Sequence, residues 1–462
     1  MTLRSLFVDF NSYFASVEQQ ENPRLRKRPI GVVPVHAETT CCIAASVEAK
    51  RYGVQTGTLV RDARKLCQQI EFVLARPAKY VEWHHRLLRA IDRVIPVLGD
   101  NDVTRGVRSI DEVACELMGT QRRRANAEAL ALRIKQEIRA LTGGDTLRCS
   151  IGIAPNELLA KTASDMQKPD GLTIIEQADL PHTLHALQLR DLCGIGPSME
   201  ARLHALDIHT MRELTAAPKQ TLRCAWNGIE GERMWALLRG AWLPPRKTER
   251  GSVGHSHVLS PELRTATGAR SVLNKLLAKA AMRLRREQFL AGALAVRIRL
   301  MGVEPRWERD LTFDPTDDSR AFLRMLNRAL DEHALPARTR PLSVSVTLHG
   351  LVPRDHASRR LFEDDRAADA LNGTIDRINA RFGHNKIYFG AMQEAMAHDA
   401  APMRIPFNRV PDAAAEEEAE HNLLWLNSFN RVKVLAEGEH KRVERERSKW
   451  KMPTAQRREL HP

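Results

Sequence analysis

The chain has 462 residues, too many for one compact core, so three or more domains are expected. Hydrophobic residues at 43% and charged residues at 28% describe an ordinary globular protein, without an apolar run able to span a bilayer or a signal-peptide pattern. Lys and Arg total 71 against 57 Asp and Glu; the formal net charge of +14 points to a polyanionic partner, nucleic acid ahead of a membrane surface.

In chain order, "LRSLFVDF" reads as a buried strand and "NSYFASVEQQ" as the start of a helix capped by Asn11 or Ser12. "PIGVVPV" and "CCIAAS" are short strands, "VEAKRYGVQTG" is helical up to Gly53, and "LVRDARKLC" is a second short helix. "YVEWHHRLLRAIDRVIPVL" has apolar residues at helical spacing. "GVRSIDEVACEL" is strand-like with a polar, turn-compatible interruption, and "RRRANAEALALRIKQEIRAL" is an amphipathic helix ending at Gly143–Gly144. "LRCSIGIA" is another buried strand, followed by the helix "NELLAKTASDMQK". Strands and helices thus alternate over roughly the first 175 residues, the pattern of an α/β or α+β domain.

From about Leu184 to Gly240 only short helices are expected. "LCGIGPSMEARLHALDI" has the form of a helix–hairpin–helix element, in which Gly194 and Gly196 let backbone N–H groups approach a phosphate; a plain helix-to-helix turn is the alternative. "WLPPRKTERGS" reads as a linker and "SVLNKLLAKAAMRLRREQF" as a basic amphipathic helix. "ALAVRIRLMG" alternates, with Val296, Ile298 and Leu300 on one face and Arg297 and Arg299 on the other. "LSVSVTLHG" alternates likewise, so a small sheet with one apolar and one Arg/Ser/Thr face is expected, suited to nucleic-acid backbone or simply solvated. Beyond Pro353 regularity is lost, and the acidic run "DAAAEEEAEH" and the charged "EGEHKRVERERSKWK" read as a partly disordered tail.

The seven cysteines form no C-x-x-C pair, and His84, His85, His255 and His257 have no partner cluster, so both sets read as structural rather than metal-binding. The acids are different. Asp9 ends the first strand, and Asp111 and Glu112 interrupt a later one, so the three carboxylates could meet at one sheet edge. Such a cluster repels itself unless it holds cations, and oxygen-only donors suit Mg²⁺. The alternative leaves Asp9 as a helix cap and the Asp–Glu pair at the surface; spacing alone leaves both open.

"FVDFNSYFASVE", "RSIDEV", "IGIAPNELLAKTASDMQKPDGL" and "LCGIGPSMEARL" stand in the order and at the spacing of the Y-family, lesion-bypass DNA polymerases, which the chain resembles from Leu3 to about Gly240 and more weakly to about Gly350. The resemblance implies an α+β multidomain, right-hand fold: an α/β palm (1–20 and 77–172), small fingers (21–76) and a helical thumb with the helix–hairpin–helix (173–240). A linker (241–252), an α/β little finger (253–352) and a tail (353–462) complete it. It implies a DNA-directed DNA polymerase working by two-metal-ion nucleotidyl transfer. Two Mg²⁺ ions would be bound by Asp9, Asp111, Glu112 and the Phe10 carbonyl. Tyr13, Phe14, Lys50 and Lys161 would bind the deoxynucleoside triphosphate, with Phe14 as the steric gate against a 2′-hydroxyl. Primer–template DNA would lie along Gly194, Gly196, Arg297 and Arg299.

Val47 and Lys50 stand where many members carry Tyr and Arg; Asn11 and Lys50 resemble the UmuC branch, "TASDMQKPDGL" the polymerase IV branch. Leu361 and Phe362 in "SRRLFED" resemble the end of a sliding-clamp-binding peptide, a packing role being the alternative. A cytoplasmic, nucleoid-associated protein without membrane contact is expected. Two rivals stay open: a non-catalytic DNA- and clamp-binding scaffold, and a helix–hairpin–helix repair enzyme.

Overall fold

A computed structural model describes residues 3–97, 106–244, 250–302, 306–336, 338–356, 365–382, 385–398 and 400. The apolar opening run forms β1 (Ser5–Phe10), buried along its whole length, and leads into α1 (Tyr13–Glu21). Next come β2 (Ile30–Val33), β3 (Ala44–Ala45), α2 (Val47–Lys50), α3 (Val60–Leu66) and β4 (Glu71–Leu74), whose strands form a separate sheet in the order β3-β2-β4. The helix expected up to Gly53 stops at Lys50. The chain turns over the next residues, Gly53 at φ +86°, and buries Val54 in this unit's own small core.

The chain returns through α4 (Pro77–Asp92), β5 (Val107–Ser109), β6 (Glu112–Glu116), α5 (Arg124–Thr142), β7 (Cys149–Ala154), α6 (Glu157–Met166) and β8 (Leu172–Ile174). These complete a five-stranded sheet in the order β5-β6-β1-β7-β8, with β1 at its centre. Alternation along β1 assigns its two faces. Leu6, Val8 and Phe10 belong to a core shared with α4 and α5, whereas Phe7 belongs to one shared with α6. Asp9 therefore lies on the α6 face.

The short helices α7 (Pro197–His204), α8 (Met211–Ala216), α9 (Lys219–Ala225) and α10 (Ile229–Leu237) share that second core. Asn156 joins them to the sheet: its side chain caps α6 by accepting from the Leu159 N–H and donates to the carbonyls of Leu237 and Ala241. Before the Gly194–Gly196 turn stands a three-residue 3₁₀ segment, Leu189–Asp191, rather than the α-helix the motif suggested.

A further α/β layer follows: β9 (Ser252–Val258), α11 (Ala266–Arg286), β10 (Phe289–Leu300), β11 (Trp307–Thr316), α12 (Ser319–Glu332) and β12 (Pro341–Pro353). Its antiparallel sheet runs β11-β10-β12-β9. Val296, Ile298, Leu300, Val344 and Val346 are buried against α11 and α12, while Arg297 and Arg299 are exposed on the opposite face. β9 already begins at Ser252, the last residue of the expected linker.

The reading of the tail is also corrected. Part of the region read as an irregular tail is folded onto this layer as α13 (Asp365–Phe382) and α14 (Gln393–Ala397). Asp376 takes a two-pronged ion pair from Arg285 at 2.7 and 2.8 Å, Asn372 donates to Asp318, and Ala395 and Ala400 join the α11 core. The docking face of α13 buries Asn372 and Asn379, polar residues that an apolar-periodicity reading passes over. Leu361 and Phe362 lie outside the described residues.

Candidate active site

Antiparallel pairing builds the acidic site. In the β1–β6 register Asp9 stands directly opposite Glu112, and directly opposed residues share a face of the sheet. Ile110 and Asp111 make the turn between β5 and β6, and the Phe10 N–H donates to the Asp111 carbonyl at 2.9 Å. The polar break in "RSIDEV" is thus a hairpin tip, which brings Asp111 to the end of the central strand. His84, buried on α4, sits with Nδ1 2.7 Å from the Ile110 carbonyl and props that tip from behind.

Gly152 of β7 lets α6 come close. A Cβ there would lie 2.0 Å from the Ala160 carbonyl oxygen and 2.4 Å from the Ser164 nitrogen. At this separation Lys161 reaches across to the acids. Its ammonium pairs with Asp9, stands 2.8 Å from Glu112 and 3.3 Å from Asp165, and lies 5.4 Å from the Phe7 ring centre. Lys168 stands 2.7 Å from both Asp9 and Asp165. Burial opposes the Lys161 charge, but Asp9, Asp165 and Glu112 outweigh it and hold its pKa well above the ordinary lysine value.

Asp111 has a different balance. Burial first, then the charges of Asp9 and Glu112, push its carboxyl up to about 6, against the hydrogen bond it accepts from Ser109 at 2.6 Å. The Lys50 ammonium is held below its ordinary value, by desolvation first and then by Lys168, while Asp9 and Asp111 pull the other way. Lys50 of α2 thus feels the same cluster from the smaller sheet's side.

Among the described residues, no three His, Cys, Asp or Glu side chains are gathered closely enough to enclose an ion; lysine ammonium groups stand among the carboxylates instead. The donor chemistry nevertheless fits a hard divalent cation. The donors are oxygen-only, and the buried Asp9 carboxylate is already met by two cations, Lys161 and Lys168. Asp9 and Glu112, which would hold such an ion, are paired with the Lys161 ammonium here.

The aromatic pair divides its work. Phe14 stacks on Tyr80 with ring centres 4.2 Å apart and planes 12° apart. Tyr13 is buried, with its hydroxyl donating to the Tyr80 carbonyl at 2.6 Å. Asn11 is not a cap: it donates to Ser150 and accepts from the Asp170 N–H, while Ser12, the residue at the cap position, is left-handed at φ 49°.

On the outer sheet Arg297 pairs with Glu308 of β11 at 3.4 Å, so the exposed face carries acids beside its arginines. Gly194 adopts φ +95° with open space where a side chain would stand, and Gly196 is the N-cap of α7. Lys168, Asp165, Ser150 and Tyr80 were not singled out in the sequence, and Asn11 only as a cap and a branch marker; the "SDMQKPDG" stretch carried a signal for two of them, a carboxylate and a lysine three residues apart.

The site is therefore an acid-lined sheet end of the polymerase-palm type, overlooked by lysines and backed by aromatic rings. The pattern of the impB/mucB/samB family matches residues 8–165 and that of its C-terminal domain residues 250–361. DNA polymerase IV of Moorella thermoacetica is 34% identical over 390 residues, spanning 83% of this chain and 94% of that protein. DNA polymerase IV 1 of Bacillus subtilis is 29% identical over 396 residues, 83% and 92% of the two chains. A solved Y-family DNA polymerase chimera has the same fold, with a TM-score of 0.59 at 21% identity over 76% of this chain and 99% of that one. The chain belongs to the impB/mucB/samB family of Y-family DNA polymerases.

Proposed function

We propose that this DNA-directed DNA polymerase adds deoxynucleotides to a primer 3′-hydroxyl opposite damaged as well as undamaged template. The observation that supports the reading is Asp9 facing Glu112 across β1 and β6 under Lys161, with Lys168 on Asp9 and Asp111 at the adjoining hairpin tip. Two Mg²⁺ ions held by Asp9, Asp111, Glu112 and the Phe10 carbonyl would supply the charge that activates the hydroxyl and stabilises the departing pyrophosphate. Lys161, Lys168 and Lys50 act as point charges on triphosphate oxygens. Released from Asp9 and Glu112, Lys161 has the incoming phosphates as its next anionic partners. Phe14, held flat on Tyr80, closes the space beside the sugar 2′ carbon and so favours deoxyribose.

Primer–template DNA is held through its backbone by the Gly194–Gly196 turn and by Arg297 and Arg299, contacts that position without reading sequence. Leu361 and Phe362 are assigned to a sliding clamp, and the protein to the nucleoid. Among the described residues no helix is long and apolar enough to cross a membrane. Val47 in α2 offers no phenol to the triphosphate, which leaves Lys50 as that helix's cation at the site.

Primer extension on damaged and undamaged templates is the test. Asp9→Ala, Asp111→Ala or Glu112→Ala should lower Mg²⁺-dependent incorporation at least about 10³-fold, as loss of transition-state charge stabilisation of about 4 kcal/mol does. Unchanged synthesis by folded variants would remove the assignment, and DNA binding without any incorporation by the unaltered chain in Mg²⁺ would favour the scaffold reading.

A further inference from the structure

Helix α1 starts at the ring assigned to sugar selection and ends against the smaller β3-β2-β4 unit, and two adjacent residues on it hold both strands of chain that join this unit to the main sheet. Glu18, one helical turn beyond Phe14, is buried at 3% exposure. It receives the Arg76 guanidinium in a two-pronged pair, Nε at 3.0–3.1 Å and a terminal nitrogen at 2.6 Å. Arg76 is the point where the chain returns from β4 and enters α4. Gln19 donates to the carbonyls of Leu25 and Arg28, where the chain departs toward β2, and to Glu48 of α2.

The same pair reaches the gate. The Tyr80 hydroxyl donates to Glu18 at 2.7 Å and accepts from the Arg76 backbone N–H at 3.1 Å. The Tyr80 ring is the wall on which Phe14 is stacked. Phe14 can yield to a 2′-hydroxyl only if Tyr80 gives way. Tyr80 gives way only if its hydroxyl leaves Glu18, whose buried charge is balanced by Arg76.

We infer that Glu18, Arg76 and Gln19 are positioning residues that couple the placement of the β3-β2-β4 unit to the rigidity of the sugar gate, and so set sugar selectivity without touching the nucleotide. The inference rests on the reading of Phe14 as the gate. A shift of the smaller unit pulls on Arg76, and the strain passes through Glu18 and the Tyr80 hydroxyl to the wall behind Phe14.

The experiment measures kcat/KM for a deoxynucleotide and the matching ribonucleotide on the same primed template. Tyr80→Phe keeps the stacking ring and removes only the hydroxyl; Arg76→Ala removes the guanidinium from a side chain that is nearly half exposed. Phe14→Ala is the control. Coupling predicts that the deoxy-to-ribo ratio drops about three- to tenfold in Tyr80→Phe and Arg76→Ala, the scale of a ring released from one rotamer well. The drop should come from a gain in ribonucleotide kcat/KM, whereas a merely structural defect would lower both substrates alike. If Arg76→Ala does not fold, Tyr80→Phe decides alone. A collapsed ratio in Phe14→Ala beside a wild-type ratio in Tyr80→Phe overturns the coupling and leaves the gate standing. An unaltered ratio in Phe14→Ala overturns the gate, and the coupling with it.

Discussion

Asn11 carries no charge, yet three segments meet on it. Its amide donates to Ser150 of β7, its carbonyl oxygen accepts from the Asp170 N–H, and its backbone carbonyl accepts from Ser16. Lys135, buried on α5, grips Asp170 from the other side and bonds the Cys149 carbonyl. Together they pin the turn that delivers Lys168 to Asp9. Asn11→Ala would leave Asp170 N–H and Ser150 under-satisfied, at a cost of about 1–3 kcal/mol. We expect a lower midpoint in chemical denaturation together with a raised nucleotide KM; an unchanged KM would separate the turn from nucleotide binding.

His84 offers a second test at this scale. Burial first, then the neighbouring His85, lower its pKa from 6.5 to about 4 against the bond to Ile110. The folded protein keeps His84 neutral while the unfolded chain takes up a proton below 6.5. Its contribution to stability is thus complete above pH 6.5 and is lost as pH falls toward 4, by about 1.4 kcal/mol per pH unit. Denaturation midpoints measured between pH 7 and 5 should fall, and should fall less steeply in His84→Leu.

At the scale of elements, the α6–β7 contact decides the site. Gly152 and the backbone of Ala160 and Ser164 are in direct apposition, with no flexible side chain to move aside. Gly152→Ala must therefore displace the helix, and overpacking costs about 1–3 kcal/mol or more. Lys161 rides on that helix, so primer extension should fall further than the shift in thermal midpoint accounts for. Activity that tracks stability alone would show that the height of α6 is unimportant.

Elements also mark where the sequence could be read. β1, β7 and α5 were legible because their burial patterns are continuous or amphipathic, and period and burial coincide there. β11, with "WERDLTFDPT", interleaves Trp307, Leu311 and Phe313 on its packed face with charged residues on the open one, and α13 buries asparagines; the polar residues mask both patterns.

Over the whole molecule, the charge of +14 meets a sheet face whose arginines are not equivalent. Arg297 shares its charge with Glu308 at 3.4 Å. DNA affinity should fall steeply with salt through counterion release, and Arg299→Ala should reduce the slope of log K against log salt by about one. Arg297→Ala should reduce it by less, since Glu308 already offsets part of that charge. Filter-binding titrations from low to high salt test this. Equal slopes in both variants would mean that the Arg297–Glu308 pair opens on DNA, and an unaltered slope in Arg299→Ala would take the outer sheet off the DNA path.

Sequence alone determined that Asp9 lies at the end of a buried strand, that Asp111 and Glu112 interrupt a later one, that two rings follow the first acid, and that the charge points to a polyanionic partner. These are local facts of pattern and charge, and each residue's neighbours in the chain suffice to state them. Tertiary structure decided the rest: that Asp9 opposes Glu112, that Lys161 and Lys168 stand on Asp9, and that Glu18 reaches both Arg76 and Tyr80. Those contacts join residues 58 to 159 positions apart through one register of β1 and one height of α6. Strand register and helix height are set by side-chain packing across the sheet, which period and composition do not encode.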